Sequence, residues 1–65
     1  MKIAVVEDSD FYNKLITRQL ELYTKAIAQE KSCDFVIESY VHADDFLRNL
    51  KEDTDVAIID YYLSN

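Results

Sequence analysis

Two short apolar runs in this chain end in acids. Ile3-Ala4-Val5-Val6 is followed directly by Glu7 and Asp8, and Val56-Ala57-Ile58-Ile59 is followed directly by Asp60. Each run has the length of a buried strand. If the two strands lie parallel in one sheet, their acids meet at its carboxyl edge, where open α/β sheets bind ligands. Three carboxylates in one pocket repel one another, and without a counter-ion some are pushed toward protonation. A hard divalent cation relieves that repulsion, and an all-oxygen, partly hydrated site is the kind Mg²⁺ prefers. Acids at strand ends also serve as turn formers and helix caps. Two adjacent acids after one strand and a third after its neighbour favour a metal or phosphoryl site over that plainer role.

The elements that must position these acids alternate between strand and helix. After the first run, Tyr12, Ile16, Leu20, Tyr23 and Ile27 recur at helical spacing, and Leu15, Leu22 and Ala26 widen the stripe. The pattern predicts an amphipathic helix over about 11–30 with Ser9 or Asp10 as N-cap. A second strand follows over 35–40, rich in β-branched and aromatic residues. Ala43, Phe46, Leu47 and Leu50 then mark one face of a short second helix, with Asp44 and Asp45 in its first turn, where the helix dipole favours negative charge. This is a βαβαβ arrangement: an α/β fold with a parallel sheet and right-handed crossovers. Strands 1 and 3 are apolar at every position, as strands covered on both faces are. Glu38 and Ser39 suit strand 2 to an edge, and the strand order 2-1-3 follows. Strand 3 then has a central strand's composition at an open edge, a pairing hazard. A second copy pairing strand 3 with strand 3, antiparallel, is the simplest remedy, so a homo-oligomer through strand 3 is expected.

Composition narrows the function classes. Sixty-five residues allow one domain spanning 1–65, or part of one. A net charge of −6 with no basic cluster argues against nucleic-acid binding by this segment. The longest apolar run has four residues, so no membrane span is expected. There is no glycine, which excludes a P-loop or dinucleotide fingerprint, and no proline. Turns must be made by Asp, Asn, Ser and His. Cys33 is the single cysteine, read as a small, partly buried hydrophobe that fits a reducing cytoplasm. His42 falls where strand 2 turns into helix 2 and is read as a turn or cap residue. Tyr61-Tyr62-Leu63 is read as loop packing, and Glu52, Asp53 and Asp55 as a solvated loop.

Taken together and in order, Lys2–Ser9, Ser39–Leu47 and Asp55–Leu63 resemble the strand 1, strand 2 to helix 2, and strand 3 segments of a bacterial response-regulator receiver domain. The resemblance covers the whole chain but only the N-terminal half of that family's five-stranded, flavodoxin-like domain. It implies that Asp60 is the phospho-acceptor, taking a phosphoryl group from a histidine kinase or phosphotransfer protein. It implies that Asp8 holds Mg²⁺ directly, that Glu7 acts through a bound water, and that the backbone carbonyl of Tyr62 is a further ligand. Such a module is a regulated phospho-acceptor rather than a turnover enzyme. The family's later Ser/Thr and Lys lie beyond Asn65, so the resemblance implies a truncated module that does not switch alone. Ser64 stands where the family commonly has proline. Two other readings stay open: a half-domain that does not signal and serves as an oligomerisation or interaction unit, and, more remotely, a Mg²⁺-dependent phosphohydrolase. The latter usually carries Asp-x-Asp after its first strand, where this chain has the adjacent pair Glu7-Asp8.

Overall fold

The computed structural model of the chain describes residues 1–50 and 53–60. It is α/β: β1 (Lys2–Glu7), α1 (Asp10–Lys31), β2 (Val36–Tyr40), α2 (Ala43–Asn49) and β3 (Val56–Asp60). The three strands form one parallel sheet in the order β2-β1-β3, which is the βαβαβ half of a flavodoxin-like sheet. Residues in register share a face. On one face Ala4 and Val6 of β1 pack with Phe46, Tyr40 and Ala43, so α2 covers that side. Ile3, Val5 and Glu7 alternate onto the other face, under α1. The helices therefore cover opposite faces, and β1 is buried along Ile3–Glu7.

Helix α1 begins where the sequence predicts. Ser9 is its N-cap, with extended backbone angles and a hydroxyl accepting from the Tyr12 N–H at 3.4 Å. At the other end the chain must turn left-handed without a glycine, and Ser32 does so at φ 54°, its N–H donating to the Ala28 carbonyl. Serine pays a steric cost there that glycine would not. His42 occupies the N-cap position of α2. Its side chain makes no capping bond, and its backbone carbonyl accepts from Asp45 and Phe46.

The face that α1 turns to the sheet differs from the expected stripe. Ile16, Leu20 and Ile27 do point inward, half-buried, but Tyr12, Leu15, Leu22 and Tyr23 are exposed. The inward row is completed by Asn13 and Thr24, both buried. Each of these polar residues has its hydrogen bonds met. Thr24 Oγ1 bonds back to the Leu20 carbonyl at 2.7 Å, while Asn13 Nδ2 donates to the carbonyls of Glu7 (3.2 Å) and Tyr40 (2.9 Å). Asn13 thus ties the carboxyl ends of β1 and β2 to the first turn of α1, and an apolar residue there would leave both carbonyls unmet. Asn13→Ala is expected to cost about 2 kcal/mol, the cost of stranding buried acceptors. Thermal melting checks this, and a midpoint unchanged from wild type would contradict the role.

On α2 only Ala43 and Phe46 reach the core, while Leu47 and Leu50 are exposed, because a helix of seven residues presents just one turn to the sheet. The amino ends of the strands are held by reciprocal bonds between Lys2 and Asp55, each backbone N–H donating to the other residue at 2.9 Å. The Lys2 ammonium pairs with Glu38 at 3.1 Å and Asp53 at 3.4 Å. Asp53 and Asp55 therefore tie down β1, which is more than the solvated loop expected of them. Glu52 lies outside the described residues.

β3 takes the edge next to β1 and is exposed along its length except for half-buried Ile58. Helix α1 packs on β1 and β2 and does not reach β3. The tension expected from the sequence is therefore real: Val56 and Ile59 are apolar, large and open to solvent.

Candidate functional site

The parallel register puts Glu7 beside Asp60 at the carboxyl edge of the sheet, on the face under α1. Two residues 53 apart in the chain are neighbours because β1 and β3 both run out to that edge. Helix α1 starts three residues past Glu7, so its positive N-terminal end opens at the same edge.

Glu7 is the unusual member. It is buried, 2% exposed, at the end of a strand whose preceding four residues are apolar and buried. Oε1 accepts from the Ser9 N–H at 3.0 Å, and Oε2 is buried with no partner. The Ser9 bond holds the carboxyl down. Desolvation, the Asp60 charge and competing contacts with Asp60 and Asp8 outweigh it, and the group lies above its usual 4.5. Buried carboxylate oxygens in folded proteins normally have partners, so an orphaned one calls for a proton, a water or a cation.

Asp8 and Asp60 are both exposed. The structure thus brings Glu7 and Asp60 together, with Asp8 close enough to act on Glu7. Among the described residues, no group of three such side chains forms that could hold an ion. Tyr62 and its backbone carbonyl, with Tyr61, Leu63 and Ser64, lie outside the described residues. Glu7 offers one buried oxygen without a hydrogen-bond partner at this edge, and Asp8 and Asp60 add exposed carboxylates near it. Comparison of the chain with protein-family models, curated proteins and solved structures finds no match. The functional reading therefore rests on the residues and their placement.

Sequence reasoning missed Asn13, whose two bonds fix the β1 and β2 ends relative to α1 and so set the floor of the site. The available signal was its place four residues after the N-cap, where the first helical turn passes over the strand ends. Cys33 is half-buried and lies well along the chain from this edge, after α1.

The state of Glu7 has a measurable consequence. A carboxyl whose folded pKa is raised contributes stability that is fully present below its ordinary range and is lost as pH rises through the folded value. In metal-free buffer, Glu7→Gln is expected to raise the melting midpoint relative to wild type, with the gap opening as pH climbs above 4.5. The carboxamide carries no charge to desolvate and can donate toward Asp60. Equal midpoints at every pH would contradict the strained carboxylate.

Proposed function

We propose that the chain is the N-terminal, acid-bearing part of a receiver-type phospho-acceptor, taking a phosphoryl group on Asp60 from a histidine kinase or phosphotransfer protein. The observation that carries the reading is the register of Glu7 with Asp60, which sets a buried carboxylate with an orphaned oxygen beside an exposed one. The two acids have different environments and therefore different tasks. Asp60 is solvent-facing and can reach an incoming phosphorus, while Glu7 is fixed by the Ser9 N–H and cannot.

In the proposed step, one Asp60 carboxylate oxygen attacks the phosphorus in line. The bond from phosphorus to the donor imidazole nitrogen breaks, and that electron pair leaves with the donor. The product is an acyl phosphate, labile enough for a reversible signal. Mg²⁺, when bound by Glu7, Asp8, Asp60 and the Tyr62 carbonyl, would neutralise charge on the phosphoryl oxygens. Helix α1 adds its N-terminal dipole at the same edge. Such a module accepts and holds a group and is not a turnover enzyme. The reading as a non-signalling interaction unit is favoured by a separate observation, the exposed apolar side chains of α1 and β3.

Melting with and without Mg²⁺ tests the site. At a hundred times its dissociation constant, an ion bound only by the folded chain stabilises it by about 2.7 kcal/mol. Wild type is expected to gain that much, and Glu7→Gln and Asp60→Asn little of it. An unchanged wild-type midpoint, or an equal gain in all three proteins, would count against the reading.

A further inference from the structure

Helix α1 carries apolar side chains on a second side besides the one it turns to the sheet. Its sheet-facing row is Asn13, Thr17, Leu20, Thr24 and Ile27, each buried or half-buried. About 150° around the helix, at 100° per residue, runs a second row: Tyr12, Leu15, Gln19, Leu22, Ala26 and Gln29. All six are exposed, Leu22 at 60% and Tyr12 at 56%. Their spacing is 3, 4, 3, 4, 3, which is the a/d seam of a two-stranded coiled coil carried over 18 residues, or about 27 Å of helix. A helix that only covers a sheet needs no such seam.

We infer that a second copy of this chain packs on that seam, with the two α1 helices side by side and parallel. The occupant is selected by the match of the positions flanking the seam to themselves. In a parallel pair, each residue just before an a position meets the one five further along the partner helix. Here Arg18 meets Tyr23 and Lys25 meets Glu30, a cation over an aromatic ring and an ion pair, while Phe11 lies opposite Ile16, which is already turned toward the sheet. Arg18, Lys25 and Glu30 are exposed, and among the described residues none of them has an ion-pair partner within the chain.

The open β3 edge could also pair with a second copy, but it offers five residues, and such pairing would leave the α1 seam bare. The seam makes a layered dimer of sheet, helix, helix, sheet. Because the helices run parallel, the carboxyl edges carrying Glu7 and Asp60 face the same end. This gives the interaction-unit reading its occupant and stands whether or not Asp60 takes a phosphoryl group.

Sedimentation equilibrium of the 65-residue chain at micromolar concentration tests it. The wild type is expected as a dimer. Leu15→Glu with Leu22→Glu, both at exposed positions, is expected to weaken association by about a hundredfold or more and leave the helical signal unchanged. A wild-type monomer, or a dimer untouched by that pair of changes, would overturn the proposal; the second result would assign the contact to the β3 edge. Should the double variant lose its helical signal, charge reversal decides. Lys25→Glu is expected to weaken the dimer several-fold, and adding Glu30→Lys to restore it. A dimer indifferent to both would overturn the parallel seam.

Discussion

Asp60→Asn is expected to abolish phosphoryl uptake by the protein, in whatever length the cell makes it, while leaving its fold intact. The two halves of that expectation have separate grounds. The carboxamide oxygen is a far weaker nucleophile than a carboxylate and carries no negative charge to hold a cation. The fold is expected to survive because Asp60 is exposed and sits last in an edge strand, with no core contact to lose. Removing its charge also relieves Glu7, since Asp60 is one of the groups holding that carboxyl up. The metal-free variant should therefore melt no lower than wild type. Loss of uptake with a preserved melting curve is the expected pair of results. Uptake persisting at the wild-type rate would move the acceptor elsewhere and remove Asp60 from its proposed role.

Phe46→Ala is expected to be the most damaging single change to the fold. Phe46 is the one residue of α2 that is buried. It closes the cluster of Ala4 and Val6 with Tyr40 and Ala43, and its ring meets that of Tyr40 edge-on at 5.7 Å between centroids. Truncating a buried Phe costs about 3–5 kcal/mol through lost transfer energy and the cavity left behind. A chain of this size has only a few kcal/mol in hand, so α2 should detach from the sheet at ordinary temperature. Leu47→Ala is the matched comparison. Its side chain is 62% exposed, and truncation should stay within about 0.5 kcal/mol. Denaturant melts of the two variants check this. Equal losses, or a Phe46→Ala midpoint near wild type, would contradict the assignment of the core.

How much of this was legible in the sequence depends on what each residue answers to. The strands were readable because Ile3–Val6 and Val56–Ile59 are unbroken apolar runs, and acids at their ends fix where they stop. Parallel pairing then brings Glu7 to Asp60 without reference to any other residue. Strand order was readable from Glu38 and Ser39, which mark β2 as an edge. The faces of the helices were less readable. Counting apolar residues merges the inward and the exposed apolar residues of α1 into one wide stripe, because periodicity does not say which side of that stripe meets the sheet. The outcome is decided by Asn13, a polar residue drawn inward by two strand carbonyls, and that contact exists only once β1 and β2 are side by side. Leu47 and Leu50 misled for a related reason: their spacing from Ala43 and Phe46 is helical, but α2 turns only Ala43 and Phe46 to the core, and Leu50 lies past its end at Asn49. The unpartnered oxygen of Glu7 had no signature in the sequence, since its burial arises from α1 crossing over the end of β1.

The most direct measurement of the central claim is the chemical identity of the phosphorylated residue. The protein is incubated with Mg²⁺ and a phosphohistidine donor, quenched, and treated with hydroxylamine, which converts an acyl phosphate to a hydroxamate at the carboxyl that carried it. The expected result is a phosphate lost to hydroxylamine and to base, with the hydroxamate mapped to Asp60 alone. A hydroxylamine-resistant phosphate on Ser, Thr or Tyr with Asp60 unmodified, or a hydroxamate at Glu7 or Asp8 in its place, would contradict it.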